Sequence, residues 1–127
     1  MFQRDYIMRA VQQAAEALAR ALKLLLKKKD DEAEQALAEG YAAIGIDREL
    51  LLLLDPASLR SQLADDSKVA MAARLLVGDA EVQQARGDSK GALRRLRAAI
   101  RLADQRPERD AELTTELARE RRELGAD

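Results

Sequence analysis

Histidine and cysteine are both missing from the 127 residues. Without histidine the chain lacks the commonest general base and the commonest transition-metal ligand. Without cysteine it has no disulfide, no thiol nucleophile and no thiolate ligand. Zinc, copper and non-haem iron then have almost nothing to bind. The expectation is a protein that is not an enzyme and carries no metal and no cofactor. Tryptophan is absent too, phenylalanine occurs once, and aromatic residues make up 2% of the chain. Aliphatic side chains and alanine must fill the core, which suits closely approaching helices better than a β-sandwich. Neither sign of charge prevails: the net charge is −1 and the pI about 5.6. That gives no global attraction to nucleic acid or to an anionic membrane. No uncharged apolar run exceeds five residues, the length of Leu50 to Leu54, and that is far too short to span a bilayer. Arg4, Asp5, Arg9, Glu16 and Arg20 interrupt the stretch where a secretory signal needs an unbroken apolar segment. A cytoplasmic location, with no membrane contact, is the expectation.

What remains is rich in Ala, Leu, Glu, Arg, Lys and Gln, the strong helix formers. The length is that of one domain, residues 1–127. Ile7, Val11, Ala14, Leu18, Ala21 and Leu25 recur at spacings of four and three, so 2–29 reads as one long helix. Lys27, Lys28 and Lys29 fall in its last turn, where cations complement the helix dipole. Asp30 or Asp31 is a cap for a second helix, which faces inward with Ala33, Leu37, Gly40, Tyr41 and Ile44 and stops at Gly45. Asp47 caps a short leucine-rich piece. Asp55-Pro56 opens another short helix that ends near Leu63. A longer helix starts at Asp66 or Ser67, carries Val69, Ala72, Ala73, Leu76 and Ala80 on one stripe, and ends near Arg86. Gly87-Asp88 turns the chain into a helix from Ser89 to about Ala103. Beyond Pro107, residues 108–124 read as a charged helix with a thin stripe of Leu113, Leu117 and Leu124, the pattern of a stack's capping end. The fold class is all-α: stacked antiparallel helical hairpins with a C-terminal capping helix.

Two hairpins recur 59 residues apart, with Ala33, Leu37 and Gly40 matching Ala92, Leu96 and Ala99. The second reads Gly87-Asp88-Ser89-Lys90-Gly91-Ala92-Leu93 and continues through Leu96, Ala99, Ile100 and Leu102. This resembles the second half of a tetratricopeptide repeat, in which a Gly-Asp turn precedes an alanine. Gly78 and Ala80 stand where that family's first helix wants small residues. The first-helix aromatics are missing, the proline is displaced to Pro107, and the first hairpin turns through Lys28-Lys29-Asp30. The opening Asp5-Tyr6-Ile7-Met8-Arg9 resembles the start of a small bacterial family of unknown function with tetratricopeptide-like hairpins. That resemblance implies a fold and a bacterial origin, and no activity.

Few residues invite chemistry. The carboxylates Asp30, Asp31, Glu32 and Glu34, and the pair Asp65 and Asp66, could bind a hard cation. Both groups precede helices, however, where acids stabilise the N-terminus in any case. Tyr6 and Tyr41 lack an evident partner that would make either an acid, so packing is their expected role. Lys90, Arg94, Arg97 and Arg101, spaced four, three and four apart, form a basic stripe for an anion contact. No aromatic interleaves it for stacking on bases, and Glu112, Glu116, Glu120 and Glu123 offer it an intramolecular partner. Leucine at five successive positions makes a helix apolar all round, which neighbouring helices or a partner must cover. Phe2, Tyr6 and Ile7 add apolar surface at the start of the first helix. The candidate interaction surface is thus Phe2, Tyr6, Ile7, Leu50, Leu51, Leu53 and Leu54. The expected function is a protein-interaction module or small scaffold, working through a protein partner or as a homodimer. The alternative is a nucleic-acid-associated protein using the basic stripe.

Overall fold

The computed structural model describes residues 2–104 and Arg119, with side chains from Arg4 onward. Apart from Arg119, the expected helix over 108–124, and with it the capping end, lies outside the described residues, as does the side chain of Phe2. Among the described residues there are six helices and no strand: α1 (Phe2–Leu26), α2 (Asp30–Ala43), α3 (Arg48–Leu53), α4 (Pro56–Leu63), α5 (Asp66–Ala85) and α6 (Ser89–Asp104). None of them is long and apolar enough to cross a membrane.

The helix starts follow local chemistry. Asp47 accepts from the backbone N–H groups of Glu49 and Leu50, opening α3, and Asp55 accepts from Ser58 N ahead of Pro56, opening α4. Asp65 accepts from Ser67 and Lys68, and Asp88 accepts from Gly91, so α5 and α6 begin the same way. Two expectations change. Lys29 holds the cap position of α2 and makes no side-chain cap bond; Asp30 and Asp31 stand in the first turn, where their charge suits the dipole. The lysine cluster is not in the last turn of α1, which closes at Leu26; Lys27 to Lys29 form the link.

Three helix ends share one closure. Lys29 N–H reaches Leu24 O while Lys28 N–H reaches Leu25 O, and the same crossed pair recurs at Ile46/Gly45 and at Asp88/Gly87. The motif needs a left-handed residue at its second-last position. Gly45 and Gly87 supply it at φ +79 and +86, and Lys28 supplies it at φ +61.

The links turn α2 back along α1 and α6 back along α5, and α5 packs against both α1 and α2. Glycine makes the closest crossing possible. A Cβ on Gly40 would stand 2.7 Å from Leu75 Cδ2 and 3.5 Å from Ala17 Cβ, and a Cβ on Gly78 would run into the Leu18 side chain. The core is aliphatic, running from Ala14 and Ala21 through Leu37, Leu75, Leu76 and Val82 to Leu96, Ala99 and Leu102. Between the hairpins, α4 seats Leu59 and Leu63 against α5 and α6. The short α3 touches α2 and buries one residue, Leu51.

Candidate functional site

Asp79 lies in the second half of α5, directly after the apolar turn Leu75 to Gly78, and is fully buried. A charge there is costly unless it is paired and hydrogen-bonded. Three other helices supply the partners. From α2, Tyr41 donates its hydroxyl to Asp79 Oδ2 at 2.9 Å. From the first residue of α3, Arg48 grips both oxygens, Nε to Oδ2 at 3.0 Å and Nη2 to Oδ1 at 2.7 Å. Such a two-point guanidinium–carboxylate contact is among the stronger charged hydrogen bonds. From α6, Arg95 Nε stands 3.1 Å from Oδ2. It is misaligned for a hydrogen bond, so its attraction is that of charge alone.

The network continues outward. Gln83, one turn after Asp79, donates to Asp79 Oδ1 and to Glu34 Oε1, both at 3.1 Å. Glu34 also accepts from Arg48 Nη2. At the rim, Arg86 lies 2.8 Å from Asp31 and 3.6 Å from Glu34. Three acids, Asp79, Glu34 and Asp31, thus face three arginines. Burial pushes the Tyr41 hydroxyl well above its ordinary pKa, and the adjacent Asp79 charge pushes it further. Burial alone would loosen the Arg48 proton, but the hydrogen bonds and charges of Asp79 and Glu34 outweigh it and raise the pKa.

Chemically this is a clamp. Tyr41 and Asp79 are 1% and 0% exposed, so no substrate reaches them. Among the described residues, no three acids converge as a metal site would need. The cleft of about 460 Å³ beside the rim is shallow, open and lined by Lys28, Asp30, Asp31, Ala85 and Arg86, whose charges offset one another.

The residues singled out from sequence fall elsewhere. Tyr6 is 70% exposed at the start of α1, and Ile7 is half-buried beside it. The leucine run splits: Leu53 is 76% exposed and Leu50 37%, Leu52 and Leu54 are half-buried, and Leu51 is buried at 1%. Leu51 therefore leaves the candidate interaction surface, because α3 turns that one position into the core. Lys90, Arg94, Arg97 and Arg101 are all exposed along α6. The four glutamates offered to them lie outside the described residues. Tyr41 is the second correction: its packing role stands, but it does have a charged partner. Asp79, Arg48, Arg95 and Gln83 had no reading of their own. The available signal was one acid, Asp79, inside the otherwise uncharged stretch from Leu75 to Ala80.

No protein-family model matches the chain, and no curated protein or solved structure matches it.

Proposed function

We propose that the protein is a cytoplasmic, bacterial interaction module without catalytic activity, built from two tetratricopeptide-like hairpins and working as a homodimer. The observation that carries this reading is the exposure of Leu53, at 76%, on a helix of six residues that is mostly leucine. Leu50 lies one turn before it, and Tyr6 and Met8 near the start of α1 are 70% and 51% exposed. Large apolar side chains exposed to this degree favour a partner surface over solvent. A two-fold dimer is the commonest assembly that covers such a surface. The repeat-like character is supported by the short links, the Gly-Asp turn before α6, and the packing of α5 on both helices of the first hairpin. It departs from a regular array in the α3–α4 insertion between the hairpins.

Sedimentation across a concentration series tests the proposal. The chain is expected to be a dimer at tens of micromolar, burying on the order of 1,000 Å² or more. Leu53→Asp, at a position already facing solvent, is expected to restore the monomer without changing the helical spectrum. A wild-type chain that stays monomeric at high micromolar concentration overturns the homodimer.

The exposed row on α6 favours a second reading, contact with nucleic acid through phosphates. Retention on heparin that weakens steeply with salt would support it.

A further inference from the structure

The outer face of α6 carries two features side by side. One is the row Lys90, Arg94, Arg97 and Arg101, exposed throughout and, among the described residues, in no ion pair. The other is the pair Leu93 and Ile100, half-buried and seven positions apart, which is the spacing of a seam between two helices; Ile100 already packs in part against the core, so a second helix would cover Leu93 and the exposed remainder of Ile100. The cations lie along one side of that seam. A nucleic-acid strand would use the cations and leave the seam uncovered; an acidic amphipathic segment uses both. The chain carries one of matching dimensions. Lys90 to Arg101 and Glu112 to Glu123 each span eleven positions, about 16 Å at helical rise. Leu113, Leu117 and Leu124 accompany those glutamates.

We infer that the outer face of α6 is a docking strip whose occupant is the acidic segment 108–124 of the same chain. The register is antiparallel, and one reversal near residues 106 and 107 sets all of it. It brings Glu112 to Arg101, Glu116 to Arg97 and Glu123 to Lys90. Pro107, which cannot continue a helix from α6, stands at the reversal. Two positions do not match: Arg119 faces Arg94 with like charge, and Glu120 falls at Leu93. The inference is independent of the leucine surface on α3, so either can fail alone.

Because the chain has no cysteine, an introduced pair reports without background. The test compares Lys90→Cys/Glu123→Cys with Lys90→Cys/Glu112→Cys in the full chain under mild oxidation. A disulfide needs Cα atoms within about 7 Å. An undocked segment closes the shorter loop sooner, so it favours the pair with Glu112→Cys. Docking reverses the order: the pair with Glu123→Cys is expected to form its bond about tenfold faster or more, within the monomer. The variants share Lys90→Cys, so any folding defect from it affects both alike. The opposite order, or equal rates, overturns the inference. Bonds formed only between chains assign the strip to a second copy and overturn it too. Tight, salt-dependent binding of heparin by the unmodified chain means that the strip is free for polyanions, and this also overturns the docked segment.

Discussion

At the scale of single residues, Asp79 dominates the energetics. Removing one member of a buried ion pair strands the others, which costs more than the pair itself contributes. Asp79→Asn leaves Arg48 and Arg95 facing a neutral amide, and the expected loss in urea unfolding is about 3 kcal/mol. Tyr41→Phe removes one donor to the same carboxylate and is expected to cost about 1–2 kcal/mol. The same tyrosine sets an alkaline limit. Its pKa is raised in the folded state, so the stability it confers is complete below the unfolded value of about 10 and is lost as pH rises toward the folded value. Stability measured above pH 10 is expected to fall more steeply in the wild type than in Tyr41→Phe; parallel curves would contradict this. Asp79 was visible in the sequence only as an acid in an apolar stretch. Its partners were not visible, because Tyr41, Arg48 and Arg95 are brought to it by helix packing across 38, 31 and 16 positions, and no local period encodes that.

At the scale of elements, the ends were more legible than the contacts. Asp47, Asp55, Asp65 and Asp88 open their helices because a short acid side chain reaches back-facing N–H groups two or three positions on. Gly45 and Gly87 closed their helices as glycine should. Lys28 concealed the end of α1, since a lysine triplet reads as more helix and gives no sign of a left-handed turn. That turn is strained for a side chain, so Lys28→Gly is expected to raise stability by about 1 kcal/mol, read as a higher melting temperature. The two helix-interior glycines respond differently. Alanine at Gly40 gains about 0.5–1 kcal/mol of helix preference but presses on Leu75, which is fully buried and cannot yield. Gly40→Ala is expected to destabilise by about 1 kcal/mol net. Alanine at Gly78 meets the tip of the half-exposed Leu18, which can swing outward, so Gly78→Ala is expected to be close to neutral. Equal effects at both sites would show that the contacts do not limit the packing.

At the scale of the whole molecule, composition and periodicity were enough for an all-helical chain. Long stripes at spacings of three and four leave few alternatives. The leucine run was legible as a feature that needs covering, but not which of its faces turns inward; that depends on how α3 leaves α2, and the structure buries Leu51 alone. One consequence follows from pairing a smooth interior with a single charged clamp. Faces built from alanine and glycine offer few ridges, so neighbouring helices could slide past one another by a turn at little cost in contact area. Asp79 forbids it. Sliding α5 along α2 by four positions would bring Leu75 or Gln83 to Tyr41 and Arg48 and strand the carboxylate among aliphatic carbons. The clamp thus acts as a ratchet stop, choosing one alignment among several of similar hydrophobic merit. When the whole cluster is replaced by leucine and methionine, a chain just as stable but no longer confined to one alignment is expected, with broadened methyl resonances as its signature.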